Sequence, residues 1–327
     1  MVLCRVFSRW ATVIMLAMML SSQLLYGVEA QLSTNFYATT CPALPMIARN
    51  SYAAAVLRNL LAPASLVRLS FHDCAVDGCE GSVLLNSGKG GTDEKLSSLN
   101  LGISNLQVID TMKMAVERRC PGVVSCSDLV VLAAAFSVVA SGGPNMPVLL
   151  GRRDGLTSST AHANQQLLPP TASVDTVLGT FAQAGLDTMH TVALLGSHTM
   201  GVGHCPNIVN RLYPTLDTTL LTHPFYAQIL RRQCPATGSN PNTIVPNDLT
   251  NIIFDSQYFR DVMSGRGLFS IDAALATDPR TAPFVQQFAM NQNLFFQTFS
   301  DAYVKLTQFR VLTGSQGQIR TNCRSPN

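Results

Sequence analysis

Apolar side chains along this chain recur mostly at steps of three and four, and runs of alternating β-branched residues are few. Steps of three and four place side chains on one face of an α-helix, so the pattern predicts an all-α fold. In one segment Val174, Val177 and Phe181 share a face, Ser173 can cap the start, and Gly185 can end the helix.

Two longer stretches predict the core. Residues 126–140 are apolar almost all round, which indicates a buried helix that stops before Gly142-Gly143-Pro144. Near the end of the chain, large apolar side chains recur at helical steps at Phe284, Phe288, Phe295, Phe299, Tyr303 and Leu306. Such a stripe is typical of core packing rather than of cofactor contact.

The first thirty residues have the features of a secretory signal peptide. Arg5 and Arg9 precede an apolar run over residues 10–20, and Val28-Glu29-Ala30 is a small-x-small cleavage sequence. A transmembrane anchor is the alternative, but the run is short for a bilayer and no second one follows. We therefore predict that residues 1–30 are a signal peptide, that the mature domain comprises residues 31–327, and that it is not bound to a membrane.

Cysteine and charge counts narrow the class of protein. Eight of the nine cysteines remain after residue 30, and an even number in a secreted chain indicates four disulfides, although many pairings are open. Zinc ligation is the competing interpretation, but no Cys-x-x-Cys pair is present. The mature chain has 20 Lys and Arg (22 less Arg5 and Arg9) against 18 Asp and Glu (19 less Glu29), without a basic run. This balance gives no reason to expect nucleic-acid binding.

The candidate chemistry begins at Arg68, Phe71 and His72. Positions three and four apart are neighbours on a helix, so a fixed positive charge, a ring and a titratable base would face one pocket, which suits heterolysis of a polar bond. A second histidine, His198, closes an apolar segment that Asp187 could start as a helix cap. A lone histidine there is usually a core residue, but together the two imidazoles could hold a haem iron and work on peroxide.

At these residues the chain resembles the secreted plant-type haem peroxidases, the class III family, over its whole mature length. The motifs that carry the resemblance are Gln31-Leu32-Ser33, Phe36-Tyr37, Cys41-Pro42, the block from Arg68 to Cys74, Val124-Ser125-Cys126-Ser127-Asp128, Gly151-Arg152-Arg153-Asp154, Gly196 to Thr199, Arg211-Leu212-Tyr213, Phe254-Asp255 and the block from Thr313 to Arg320. The resemblance implies distal and proximal helical lobes that enclose haem b in a single unit.

The same resemblance implies the function. The family reduces hydrogen peroxide through a high-valent iron intermediate and oxidises small phenolic donors in one-electron steps, in lignin and cell-wall chemistry, peroxide removal and the response to oxidative stress. A secreted monomer in the cell wall or apoplast is therefore expected. Two alternatives stay open: a haem-bearing wall protein with weak catalysis, and a disulfide scaffold with a different metal at its histidines.

The family's catalytic roles fall on particular residues. His198 corresponds to the axial ligand of the haem iron, and its other ring nitrogen should donate to Asp272. His72 corresponds to the acid–base residue and Arg68 to the charge-stabilising cation. Asn100 matches the residue that accepts the ring proton of His72, and Glu94 matches the acidic residue that links this network to the distal calcium. Phe71 matches an aromatic wall that keeps donors from the iron, or packs in the core.

The same resemblance implies donor, calcium and disulfide positions. Pro169 matches a proline whose carbonyl can bind a phenol hydroxyl, with a structural turn as the alternative. Two Ca²⁺ ions are implied: a distal site at Asp73, Val76, Gly78, Glu80 and Ser82, and a proximal site at Thr199, Asp248, Thr250, Ile253 and Asp255. Position 80 is usually aspartate. The implied disulfides are Cys41 with Cys120, Cys74 with Cys79, Cys126 with Cys323, and Cys205 with Cys234.

Overall fold

The structure is a computed structural model that describes residues 32–57, 59–86, 92–237, 240 and 242–327. The predicted signal peptide lies outside the described residues, so its cleavage stays a prediction. Leu32–Asn327 form one compact unit.

Helices dominate the described residues, which confirms the all-α prediction. They are α1 (Leu44–Val56), α2 (Ala62–Ala75), α3 (Leu106–Glu117), α4 (Cys126–Ala140), α5 (Thr160–Gln166), α6 (Val174–Ala182), α7 (Thr188–Leu195), α8 (Val209–Leu212), α9 (Thr218–Leu221), α10 (Pro224–Gln233), α11 (Gln257–Met263), α12 (Ser270–Thr277), α13 (Ala282–Met290) and α14 (Gln292–Leu306). One antiparallel ribbon departs from the pattern: β1 (Val202–His204) pairs with β2 (Ile244–Pro246). In the part of the chain that the structure covers, none of these helices has both the length and the apolar character that crossing a bilayer requires.

Helix α4 is the buried helix that the apolar run predicted. It begins where Ser125 Oγ accepts a hydrogen bond from the Asp128 backbone N–H at 3.1 Å, and most of its residues are buried. It ends at Ala140, and Gly142 then takes a φ of 92°, a left-handed conformation that suits glycine. Helix α2 packs directly against α4, so the core supports the helix that carries Arg68 and His72.

The aromatic stripe near the end of the chain is core, as predicted. Phe288, Phe295, Phe299 and Tyr303 are fully buried along α13 and α14. The Tyr303 hydroxyl lies 2.8 Å from the Ser70 hydroxyl, which joins α14 to α2. Helix α14 therefore also supports α2, the helix that carries Arg68 and His72.

Two capped helices lead to His198. In α6 the Ser173 hydroxyl accepts from the Thr176 N–H at 3.1 Å, and in α7 the Asp187 carboxylate accepts from the His190 N–H at 2.8 Å. A 3₁₀ turn, Gly196–Thr199, continues from α7 and carries His198. A Cβ at position 196 would lie 2.6 Å from the rings of Phe259 and Phe295, so only glycine lets this turn approach the core.

Four disulfides are present, in the pairing that the resemblance implies. They join Cys41 to Cys120, Cys74 to Cys79, Cys126 to Cys323 and Cys205 to Cys234. The third connects the start of α4 to the C-terminal segment across 197 residues of sequence.

Candidate active site

Arg68, Phe71, His72, Pro169 and His198 all line one cavity of about 920 Å³. A cavity of this size accommodates a cofactor or a drug-sized ligand. Among the described residues no aspartate, glutamate or lysine lines it, whereas two arginines and three histidines do. The lining therefore favours a ligand that bears negative charge.

Arg68 is held by backbone carbonyl groups rather than by a carboxylate. Its Nη1 donates to the Leu101 carbonyl at 2.8 Å and its Nη2 donates to the Leu99 carbonyl at 3.0 Å. Burial lowers the pKa of Arg68 to about 10, so the guanidinium keeps its charge at neutral pH. A carbonyl-held cation is oriented without being neutralised, and its charge remains available to a reaction.

His72 is oriented by Asn100. The His72 Nδ1 lies 2.6 Å from the Asn100 Oδ1, and the Asn100 Nδ2 donates to the Glu94 backbone carbonyl at 2.7 Å. An amide oxygen only accepts, so His72 carries its proton on Nδ1 and keeps Nε2 as a base. Burial, aided by the Arg68 charge, lowers the pKa of His72 to about 3. The imidazole is therefore neutral over the whole physiological range.

Glu94 enters this network through its backbone carbonyl, a contact that the family resemblance did not indicate. Its carbonyl accepts from Asn100, whereas both of its side-chain oxygens are buried without a hydrogen-bond partner in the described part of the chain. The main chain at residue 94 thus fixes Asn100, and the carboxyl group is left for another ligand.

His198 is anchored by Asp272. The His198 Nδ1 lies 2.9 Å from the Asp272 Oδ1, and the buried carboxylate also accepts from the Tyr258 hydroxyl and the Phe269 N–H, each at 2.9 Å. With Nδ1 donating to the carboxylate, Nε2 is the nitrogen that can ligate a metal. Tyr258 was missed in the sequence, because a tyrosine within a short helix gives no local signal for a partner fourteen residues away.

Phe71 and Pro169 each combine structure with the cavity. The Phe71 ring packs against Tyr303, with centroids 6.2 Å apart, and also lines the cavity. Pro169 lines the cavity while its carbonyl accepts from the Ala172 N–H at 2.9 Å, which makes it part of a turn. A carbonyl oxygen has two lone pairs, so one remains for a donor hydroxyl.

Comparison with known proteins identifies the family of this chain. The family model described as Peroxidase matches residues 48–291. Peroxidase 29 of Arabidopsis thaliana is 41% identical over 89% of this chain and 88% of its own length. Peroxidase 5 of Vitis vinifera is 42% identical over 92% of this chain and 93% of its own length. The chain belongs to the class III plant peroxidases. It is therefore a peroxidase, and the alternative of a binding or structural protein receives no support from these relatives.

In this peroxidase, the residues of the expected distal calcium site lie around the loop closed by Cys74 and Cys79. Asp73 and Ser82 are buried, and Asp73 Oδ1, Ser82 Oγ and both Glu94 carboxylate oxygens have no hydrogen-bond partner within the described residues. Within the described residues, no three His, Cys, Asp or Glu side chains form a group that could hold a metal ion by themselves. A calcium ion would depend on backbone carbonyls at Val76 and Gly78 as well, which suits a hard cation. The orphaned oxygens fit that ion.

The carboxyl groups of this region repel one another when no cation is bound. Burial raises the pKa of Asp73 to about 7, that of Glu80 to about 7 and that of Glu94 to about 8, and for Glu80 and Glu94 the charge of Asp73 adds to the effect. Buried acids that resist ionisation favour a cation at this place, because its charge would stabilise their ionised forms.

Calcium removal is expected to make stability depend on pH. Since these three pKa values are higher in the calcium-free folded chain than their ordinary values of 3.8 and 4.5, protonation favours folding there. The extra stability is complete below pH 4 and is lost as the pH rises towards 7 to 8. We expect the midpoint of thermal unfolding to fall by on the order of 5 °C between pH 5 and pH 8 after chelation. Calcium-loaded protein scanned over the same pH range is the control, and equal midpoints at pH 8 with and without calcium would contradict the site.

Glu80 fits its place because residue 155 is glycine. A Cβ at position 155 would lie 2.4 Å from the Glu80 Cδ, and the Gly155 N–H donates to the Glu80 carbonyl at 2.8 Å. The longer acid at position 80 and the missing side chain at position 155 therefore complement each other.

Gly155→Ala should weaken calcium binding about tenfold, because the new methyl group would displace the Glu80 carboxylate. Calcium affinity is measured by competition with a chromophoric chelator. The double variant Glu80→Asp with Gly155→Ala should regain affinity towards that of Glu80→Asp alone, since the shorter acid avoids the methyl group. An unchanged calcium affinity in Gly155→Ala would mean that the Glu80 carboxylate does not belong to the calcium site.

The residues of the expected proximal calcium site also lie together. The Thr199 hydroxyl donates to Asp248 at 2.8 Å and lies 3.2 Å from an Asp255 oxygen, and the Thr250 hydroxyl lies 3.1 Å from that oxygen. Burial, with the Asp255 charge contributing, raises the pKa of Asp248 to about 7. Ile253 follows in the same loop, where its N–H donates to the Thr250 carbonyl. The structure therefore brings Asp248 and Thr250 together with Thr199 and Asp255, and their role as calcium ligands stays a prediction.

Proposed function

We propose that this chain is a secreted class III peroxidase that binds haem b in the cavity, reduces hydrogen peroxide and oxidises small phenolic donors in the plant cell wall. The observation that supports it best is one cavity lined by a carbonyl-held arginine, a histidine kept neutral, and a second histidine bonded to a buried aspartate. Family membership supports the same activity. Two calcium ions and a monomeric state belong to the proposal.

The residues around the cavity fit haem. His198 would hold the iron through Nε2, and Asp272 would increase the electron density of the imidazole. A lining with Arg68 and histidines but no acidic side chain suits a macrocycle that carries two carboxylates. When bound, haem supplies the iron at which the O–O bond of peroxide is cleaved and through which electrons return from the donor.

His72 and Arg68 divide the work on peroxide. The neutral His72 Nε2 would accept a proton from one oxygen of hydrogen peroxide. It would then return that proton to the other oxygen, which leaves as water. Arg68 stabilises the negative charge that develops on the departing oxygen. The Asn100 amide fixes the histidine tautomer without making the imidazole more cationic, as a carboxylate would. Two phenol molecules then each supply one electron and one proton, which balances the reduction of peroxide to two water molecules.

Donors are proposed to react at the cavity edge, since Phe71 stands within the lining and limits bulky access. Pro169, whose carbonyl keeps a free lone pair, would orient a phenol hydroxyl there. The disulfides are compatible with an oxidising, extracellular compartment.

Stopped-flow absorbance of the haem-loaded mature chain tests the proposal. Mixing with one equivalent of hydrogen peroxide should lower the ferric Soret band at once, and guaiacol should restore it in two steps. A Soret band that does not change after mixing with hydrogen peroxide would overturn the proposed catalysis. Failure to take up haem would overturn the assignment of the cofactor.

A further inference from the structure

Arg310 is a cation of the cavity lining that the proposed catalysis does not use. It lies after α14, next to Phe309, and both residues line the cavity. Arg310 is solvent-exposed, so it stands where the cavity meets solvent. Its guanidinium lies 4.7 Å from the centre of the Phe309 ring, a cation–π arrangement that leaves the N–H groups available. Within the described residues it has neither a hydrogen bond nor an ion pair.

The position of Arg310 is set by its backbone. A Cβ on Gly78 would lie 2.3 Å from the Arg310 carbonyl oxygen, so the loop closed by Cys74 and Cys79 packs tightly against this residue. The same loop contacts the donor edge, because the Gln166 Nε2 donates to Asp77 at 2.8 Å and Gln166 lines the cavity three residues before Pro169. Arg310 and Pro169 therefore belong to neighbouring parts of one rim.

Asp77 is the acid of the loop that packs against Arg310, and its oxygens are already bonded. Oδ2 lies 2.7 Å from the His162 Nδ1, and Oδ1 accepts from Gln166. No ion pair joins Asp77 to Arg310 in the region described, so the guanidinium keeps its capacity for an external anion.

We propose that Arg310 binds the carboxylate of phenolic acid donors at the cavity rim, so that this peroxidase prefers hydroxycinnamate-type acids to neutral phenols of the same shape. This inference rests on the proposed peroxidase function and names its donor class. Three observations carry it: an exposed guanidinium that forms no ion pair with the described residues, the adjoining aromatic ring of Phe309, and a lining without an acidic side chain among the described residues of the cavity. Arg68 competes poorly, because two of its donors are bonded to carbonyl groups inside the cavity.

The test compares ferulate with its neutral methyl ester, which differ only at the carboxylate. For the haem-loaded enzyme, dissociation constants without peroxide are measured from haem difference spectra, and KM and kcat are measured with peroxide. Ferulate should bind about fivefold more tightly than the ester, the scale of one charge-assisted pair at a partly exposed site. The preference should weaken at high salt, because exposed charges are screened.

Variants of Arg310 test whether this side chain causes the preference for ferulate. Arg310→Gln should bring the ratio of the two dissociation constants close to one, Arg310→Glu should invert it, and Arg310→Lys should keep part of it. Arg119→Gln is the matched control, since Arg119 is exposed just beyond the end of α3, is not among the described residues that line the cavity, and its loss removes the same charge. In that control the ratio should stay at the wild-type value.

Each outcome decides the inference. A ratio near one in the wild type, or a ratio that Arg310→Gln does not change, would overturn it while leaving the peroxidase function intact. Loss of haem affinity in Arg310→Gln with an unchanged donor ratio would assign Arg310 to a haem carboxylate instead. If neither donor is oxidised, the proposed function fails, and the dissociation constants measured without peroxide still decide whether Arg310 selects the carboxylate.

Discussion

His72→Leu is expected to keep haem but to slow the reaction with hydrogen peroxide by ~10³- to 10⁴-fold. Leucine has a similar volume and no base, so the first proton of peroxide must go to water and the leaving oxygen receives none from the protein. Haem stays bound because His198 and Asp272 are separate from this side chain. The rate of decay of the ferric Soret band after mixing with peroxide measures the effect, and an unchanged rate would remove His72 from the mechanism.

Variants at Asn100 test how this residue controls the pKa and the orientation of His72. In the wild type the pKa of His72 is about 3, so the rate with peroxide should be flat from pH 5 to 8. In Asn100→Asp the new carboxylate would raise that pKa, and the rate should fall as the pH decreases through the raised value, because a protonated imidazole accepts no proton. Asn100→Ala should lower the rate without introducing this pH dependence.

Loss of the disulfide between Cys126 and Cys323 is expected to be the most destabilising single cross-link removal. It closes 197 residues of sequence, and in the chain-entropy model its absence costs about 5 kcal/mol of unfolding free energy. Typical domains have only about 5–15 kcal/mol in total. The double variant Cys126→Ser with Cys323→Ser avoids a free thiol, and denaturant unfolding should show a large loss of stability while any folded fraction keeps its reactivity with peroxide.

The matched control removes the disulfide between Cys74 and Cys79, which closes a short loop. Cys74 and Cys79 are five residues apart, and the same model gives about 2 kcal/mol for that bridge. Its removal should act mainly on calcium binding, because the loop carries the distal ligands. Equal losses of stability in the two double variants would mean that loop closure does not govern the contribution of these bridges.

Local patterns predicted most of the helical framework. Helix α4 has the bounds that the apolar run indicated, because Ser125 caps one end and glycines follow the other. The aromatic stripe lies in the core because burial of large rings dominates the energetics of packing. The ribbon of β1 and β2 was not predicted, since each strand has only three residues and their pairing joins segments some forty residues apart.

The sequence by itself determined the chemistry-bearing residues: a cation, a ring and a base at helical spacing, a second histidine at a helix end, and eight cysteines in the mature chain. Such features are local in sequence, so spacing and family resemblance are enough to find them. Only the tertiary structure decided the bond from Tyr258 to Asp272, the fit of Glu80 against Gly155, and the exposed position of Arg310 in the cavity lining. These depend on contacts between distant segments, which form only when the whole core packs and which leave no periodic trace along the chain.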